Sequence, residues 1–157
     1  MLTTSGENLE TITESKIWHD SPVVHRLARF VTEEAVALMF NIAVENIIRI
    51  RLMRYVVHVH AKGVSRFVSY ADFPAIVGVD VPDIKDLALW KKRWYKSEKS
   101  HYAPALWTKF YKFQFQNCSC AGSLQQWQNL VSGIYKVFSA TAKSELEKAG
   151  RNAFFMY

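Results

Sequence analysis

The sequence predicts a mainly helical α+β fold that contains a winged helix-turn-helix, and three observations support this. Apolar residues at helical spacing predict two short helices within residues 31–54. Alternating residues over 55–70 predict two strands joined by a tight turn. An apolar stripe from Leu124 to Leu146 predicts a long C-terminal helix. Helix, turn, second helix and hairpin follow one another at residues 31–74 in the order of a winged helix-turn-helix.

The chain divides into three predicted parts. Residues 1–20 form a polar, acidic arm, residues 21–81 the winged domain, and residues 82–157 an aromatic and basic region that ends in a dimerisation helix. Residues 49–112 carry thirteen Lys and Arg against five Asp and Glu, within a net charge of +6 for the chain. This positive middle favours an acidic partner, such as nucleic acid, an anionic membrane or an acidic protein.

Both ends of the first helix in the motif carry clear signals. Thr32 is predicted as its N-cap, with Glu33 and Glu34 in the first turn, where the helix dipole favours carboxylates. Asn41 is predicted as its C-cap, because Asn tolerates the left-handed conformation. The second helix is predicted to begin at Ala43, on the spacing of Val44, Ile47, Ile48 and Arg51.

The hairpin that follows has a basic tip. The predicted turn is Ala61-Lys62-Gly63, where Gly63 can adopt a positive φ. Lys62 and Arg66 place positive charge at and near this turn.

A helix with Arg and Asn side chains fits the major groove, and a basic hairpin can neutralise the flanking phosphates. We therefore predict contacts with double-stranded DNA. A small α+β core with solvated arginines is the alternative that the residues leave open. The predicted DNA-binding residues are Asn46, Arg49, Arg51, Arg54, Lys62, Arg66, Lys91, Lys92 and Arg93.

The run TEEAVALMFNIAVENIIRI, followed by YVVHVHAKGVSRFVSYADF, resembles the excisionase and MerR-type winged-helix families. The turn departs from the family, with Asn41-Ile42-Ala43 in place of Gly-Val-Ser, and Ile48 stands where the family usually has Arg. The residues that match are Thr32, Glu34, Ala35 and Leu38 in the opening helix, Asn46 and Ile47 in the recognition helix, and Arg66, Phe67, Asp72 and Phe73 in the closing strand.

The small size and basic charge are also similar to the compact MerR-type repressors that accompany cyanobacterial CRISPR-associated transposons. The resemblance implies a sequence-specific transcriptional regulator, a repressor acting as a homodimer, without a catalytic step. RNA binding is a further possibility that the residues leave open.

Three further helices are expected. One starts at Ser21-Pro22, because Pro suits the first helical position, and one starts at Asp83. The last runs from a capping box at Ser123 to a stop at Gly150.

In the MerR family a long helix makes a coiled coil in the dimer. The resemblance thus implies that this helix forms a dimer. Packing of the helix against the rest of its own chain is an equal alternative. The predicted dimerisation residues are Trp127, Leu130, Val131, Ile134 and Phe138.

Residues 90–113 interleave eight aromatic residues with seven bases. This composition suits phosphate contacts and stacking, and it equally suits an anionic lipid surface. A buried aromatic face with a solvated Lys face is the simpler interpretation, which we favour for Trp90 and Trp94. The rival function is an accessory protein that binds a protein partner or an anionic membrane through this segment and the long helix.

No catalytic residue, cofactor or metal is predicted, because the sequence contains no nucleophile elbow, phosphate-binding loop or zinc-protease motif. His58, His60, Cys118 and Cys120 are residue types that bind zinc, but cysteines in structural zinc sites are spaced more widely.

A separate group of acids recurs at every third position and is predicted to be solvated and helix-capping: Asp80, Asp83 and Asp86.

The protein is expected to be cytoplasmic and without a transmembrane segment. No apolar run is long enough to span a bilayer, and the polar N-terminus argues against a signal peptide. Two cysteines in such a chain favour a reducing compartment.

Overall fold

The structure, a computed structural model, describes residues 15–94 and 103–154. This part of the chain contains five α-helices and a four-stranded sheet, which confirms the α+β class. The strands are β1 (Ile17–His19), β2 (Ile47–Leu52), β3 (Val57–Ala61) and β4 (Val64–Val68). The helices are α1 (Glu33–Phe40), α2 (Ile84–Trp94), α3 (Ala103–Gln116), α4 (Ala121–Gly133) and α5 (Ala140–Phe154).

The sheet has the order β1-β2-β3-β4, with β1 parallel to β2 and the other pairs antiparallel. The predicted hairpin is confirmed as β3 and β4, joined at Lys62 and Gly63, and Gly63 has a φ of 78°. Strand β1 comes from the predicted N-terminal arm, so residues 17–19 of that arm belong to the sheet.

The predicted ends of α1 are confirmed. The Thr32 hydroxyl accepts a hydrogen bond from Ala35 N–H at 3.1 Å, which satisfies an otherwise unpaired donor of the first turn. Asn41 adopts φ 55° and ψ 51°, and its N–H donates to the Ala37 carbonyl.

The predicted second helix of the motif is wrong. Only a 3-10 turn, Val44–Asn46, follows α1, and the chain then extends as β2. A β-bulge between Ile47 and Arg49 puts Ile47 and Ile50 on the same buried face, three residues apart. Of the apolar residues on which the helix was predicted, Val44 and Ile48 are exposed and Ile47 is buried, so the described residues contain a hairpin without a recognition helix before it.

The helix predicted to start at Ser21-Pro22 is also wrong. The Ser21 hydroxyl instead accepts the Val23 N–H at 3.2 Å in a local turn, which competes with helix formation. A short 3-10 helix, Arg26–Phe30, begins later, and His25 Nδ1 caps it by accepting the Leu27 N–H at 3.0 Å.

The long C-terminal helix is two helices. Helix α4 begins at Ala121 rather than Ser123, and a 3-10 turn, Tyr135–Val137, separates it from α5. The Ser139 hydroxyl starts α5 by accepting the Ala142 N–H at 3.1 Å. Gly150 lies inside α5, where Gln128 approaches it closely, instead of ending the helix.

The core joins the predicted winged domain to the region that follows it. Trp107 donates its indole N–H to the Asp72 carbonyl at 3.1 Å, and Tyr111 donates its hydroxyl to the Ala75 carbonyl at 2.7 Å. The segment 107–115, for which the periodicity left helix and strand open, is helical. One connected set of buried side chains therefore spans the boundary predicted at residue 81.

None of the helices in the described ranges is long and apolar enough to cross a membrane.

Candidate nucleic-acid interface

The sheet has one buried face and one open face. Alternate residues of β2 to β4, such as Ile50, Val59 and Val68, are buried against the rest of the chain. The opposite side, here called the open sheet face, carries Trp18, Arg49, Arg51, His58, His60, Ser65 and Phe67. On this face Trp18 and Phe67 are 51% and 66% exposed.

Strand pairing arranges these side chains in two rows. Trp18, Arg51, His58 and Phe67 are successive partners across all four strands, so each strand contributes one member of the first row. At about 4.8 Å between neighbouring strands this row is roughly 14 Å long. The second row contains Arg49, His60 and Ser65.

The two arginines of the face have different partners. The guanidinium of Arg49 lies 4.0 Å from the ring centroid of Trp18, which is cation–π geometry. Arg51 donates from Nη2 and Nε to Asp20 Oδ2, at 2.5 and 2.9 Å. Asp20 thus neutralises one of the two fixed positive charges on the face.

The aromatic residues at the other end of the first row are also fixed by neighbours. The rings of His58 and Phe67 are 4.8 Å apart, and His58 Nε2 lies 3.1 Å from the Ser65 hydroxyl oxygen. His58 Nδ1 is buried and finds no hydrogen-bond partner in the described part of the chain.

The predicted DNA-binding residues do not form one surface. Arg49 and Arg51 lie on the open sheet face. Arg66 pairs with Val59 on the edge strand β4, so it lies on the opposite face of the sheet. Asn46 and Lys62 meet at one end of the sheet, where the Lys62 N–H donates to the Asn46 carbonyl at 2.9 Å.

The remaining bases of the predicted set lie elsewhere. Arg54 is in the turn between β2 and β3, with its guanidinium 5.3 Å from the ring centroid of Tyr55. Lys91, Lys92 and Arg93 occupy the last turn of α2.

The aromatic residues of segment 90–113 that the structure describes are mostly internal. Trp90, Trp107, Phe110 and Tyr111 are buried, which confirms the core interpretation for Trp90, and Phe113 is partly exposed. These buried rings are inaccessible for stacking on a partner. The side chain of Trp94 and the residues Tyr95, Lys96, Lys99 and Tyr102 lie outside what the structure describes.

The chain buries most of the predicted dimerisation residues within itself. Val131, Ile134 and Phe138 are buried, and Trp127 and Leu130 pack partly against the same core. Their burial requires no second subunit, because α4 folds back on α3 and α5. The homodimer stays a prediction.

The acids at every third position, Asp80, Asp83 and Asp86, are only partly the solvated group that was predicted. Asp83 caps α2 as expected, with its Oδ1 accepting the Asp86 N–H at 2.9 Å. Asp86 is fully buried and pairs with Arg29 at 2.5 Å, so the prediction that it is solvated was wrong.

Neither Cys118 nor Cys120 forms a disulfide in the structure. Hydrogen bonds from Ser123 lower the pKa of the exposed Cys120 thiol, and burial raises the pKa of Cys118. No group of three or more His, Cys, Asp or Glu that could hold a metal occurs among the described residues.

Sequence reasoning missed Trp18, His58, His60 and Phe67 as members of one surface. The alternation of His58 and His60 with valines was a usable signal, because it places both imidazoles on one strand face. The position of Trp18 carried no such signal, since it depends on pairing with a strand distant in sequence.

Comparison of the chain with protein-family models, with curated proteins and with solved structures gave no significant match.

Proposed function

We propose that the protein binds single-stranded nucleic acid on the open sheet face. The observation that carries this proposal is the juxtaposition of exposed aromatic rings with arginines on a surface that no described part of the chain covers. Trp18 and Phe67 stand at the two ends of the first row. Arg51 lies between them in that row, and Arg49 lies beside Trp18. Bases stack on such rings and phosphates pair with such cations.

A single strand fits this geometry better than a duplex. A base must leave its own stack before it can lie on a protein ring, which an unpaired strand allows at little cost. Four-stranded sheets that display aromatic side chains bind single strands in this way. The open sheet face also belongs to a four-stranded sheet, whereas a major groove admits an α-helix or a two-stranded ribbon.

Double-stranded DNA, with the protein as a homodimeric repressor, is the second candidate. One observation favours it: Asn46 and Lys62 are exposed and adjacent at the end of the sheet, where they can reach phosphates across a groove. Binding of single-stranded and duplex oligonucleotides of one sequence, compared by fluorescence anisotropy, separates the two candidates. Tighter binding of the duplex would favour the regulator.

The first prediction concerns stacking. Trp18→Ala and Phe67→Ala are each expected to weaken binding of a single strand of about 12 nucleotides at least about fivefold, because one lost stack costs about 1–3 kcal/mol. Fluorescence anisotropy of labelled RNA and DNA strands measures this.

The matched control is Ile84→Ala, which removes an apolar side chain that is 83% exposed on α2, away from the face. Equal affinities for Ile84→Ala, Trp18→Ala and Phe67→Ala would contradict the proposed site. Binding of a protein partner with no binding of any strand would favour the accessory-protein hypothesis instead.

The second prediction concerns charge. Asp20→Asn frees Arg51 from its carboxylate partner, so the variant is expected to bind single strands more tightly than the natural protein. The slope of log affinity against log salt concentration should steepen by about 0.7, the contribution of one additional phosphate contact. Arg51→Gln is the control. Neither Arg51→Gln alone nor its combination with Asp20→Asn should have a steeper slope than the natural protein. Weaker strand binding by Asp20→Asn would show that Arg51 does not contact the strand.

A further inference from the structure

A cavity lies at the end of the sheet where β2 turns into β3. It has a volume of about 400 Å³ and is here called the corner pocket. Its lining includes His25, Tyr55, Ser69, Lys92 and Arg93. A volume of this size falls within the range of small-molecule sites.

The charge of the corner pocket favours an anion. Lys92 and Arg93 contribute two cations from the last turn of α2, and none of the described lining residues carries a carboxylate. Arg93 as a whole is half-buried and lines the pocket beside Lys92, and a guanidinium pairs well with anionic oxygens.

The other side of the corner pocket is aromatic. Tyr55 is 77% exposed, so its ring is accessible for stacking. His25 stacks on Tyr70 with centroids 4.1 Å apart and an angle of 10° between the planes. Since Nδ1 of His25 accepts the Leu27 N–H, the neutral ring carries its proton on Nε2, and burial lowers the His25 pKa and so keeps the ring neutral near pH 7.

We propose that the corner pocket binds a nucleotide, with the base against Tyr55 and the phosphate on Lys92 and Arg93. The nucleotide is the phosphorylated end of the strand on the open sheet face, so the inference rests on the proposed function. The first row of that face is separated from the β2–β3 turn by a single residue pair, Leu52 and Val57. The same chemistry would also accept a free nucleoside monophosphate.

The test uses the full chain and two kinds of probe. Calorimetry with AMP and with adenosine measures the binding of a single nucleoside with and without a phosphate, and the pocket variants assign that binding to the corner pocket. Anisotropy with strands of one sequence that carry a phosphate at the 5′ end, at the 3′ end or at neither end measures its role in strand binding. The variants are Lys92→Gln and Tyr55→Ala, which alter exposed side chains, and Lys91→Gln is the matched control because Lys91 does not line the pocket.

AMP is expected to bind at least about tenfold tighter than adenosine, and one terminal phosphate should tighten strand binding about tenfold. Lys92→Gln should reduce both preferences, because Arg93 is then the one remaining cation of the described lining. Tyr55→Ala should weaken AMP binding, and Lys91→Gln should change neither preference. Strand binding that depends on Trp18 but not on a terminal phosphate, without AMP binding, would overturn the pocket and leave the proposed function intact. If no strand binds, the proposed function and the role of the pocket in binding a strand end are both overturned. If AMP nevertheless binds and Lys92→Gln weakens that binding, the corner pocket is a site for free nucleotides.

Discussion

Asp86 is fully buried, and it connects two distant parts of the chain. Its carboxylate pairs with Arg29 at 2.5 Å and lies 3.6 Å from Arg26, both in the 3-10 helix that precedes α1. It also accepts the Asp83 N–H at 3.0 Å, and thereby completes the cap of α2. One side chain therefore holds the start of α2 against the segment that leads into α1.

Asp86→Ala is expected to lower the free energy of unfolding by about 3 kcal/mol, because it leaves a partly buried Arg29 without its carboxylate. Urea unfolding measures this. Asp80→Ala is the control, since Asp80 is exposed in the same segment. A loss no greater than that of the control would show that solvent replaces the ion pair.

The sequence allowed Asp83 to be recognised as a cap from its position before an apolar helical run. The burial of Asp86 could not be predicted in this way. Its partners, Arg26 and Arg29, lie more than fifty residues earlier, and nothing local marks the pairing.

His25 gives stability a pH dependence of known sign. Burial lowers its pKa below the ordinary value of 6.5, so between these two values the unfolded chain binds a proton that the folded chain does not. The free energy of unfolding should therefore fall as pH is lowered through 6.5, until the folded-state pKa is passed.

Chemical unfolding of the natural protein and of His25→Gln at several pH values measures this effect. The variant should lose part of the pH dependence, whatever its absolute stability. An unchanged slope in His25→Gln would assign the pH dependence to other groups.

At the scale of elements, local signals predicted those features that depend on neighbouring residues. The caps of α1 at Thr32 and Asn41 and the hairpin turn at Gly63 are of this kind. The strand β2 was missed because Val44, Ile47 and Ile48 have helical spacing, although the structure buries only Ile47 of the three. The residues of β2 that do alternate, 49–52, are too few to outweigh that spacing.

The long C-terminal helix was predicted for a related reason. The 3-10 turn Tyr135–Val137 keeps Val137 and Phe138 directed into the core, so the apolar spacing continues across the break. Packing against α3 buries these side chains within one chain.

Ile134→Ala tests this packing. It is expected to lower the free energy of unfolding by about 2–5 kcal/mol, as for a large-to-small change in a core. The midpoint of thermal unfolding should not vary with protein concentration for the natural chain or the variant. Ser132→Ala, at an exposed position of α4, is the control. A midpoint that rises with concentration and loses this dependence in Ile134→Ala would instead place Ile134 in a dimer interface.

At the scale of the whole molecule, composition predicted an acidic partner but not the surface that would bind it. The basic residues of 49–112 that the structure describes are spread over the sheet, its turns and the helices that follow. Of the predicted DNA-binding residues, Arg49 and Arg51 lie on the open sheet face. The aromatic half of that face depends on Trp18, which reaches the arginines only through parallel pairing between distant segments, and no local pattern encodes such pairing.

Strand β1 also covers the outer side of β2. The Ile50 N–H donates to the Lys16 carbonyl at 2.8 Å, and the Asp20 N–H donates to the Leu52 carbonyl at 2.9 Å. A chain cut after residue 20 would leave the backbone groups of β2 unpaired and ready to template the strand of another molecule. The same short segment that supplies Trp18 to the open sheet face therefore also protects the edge of β2 from aggregation through strand pairing.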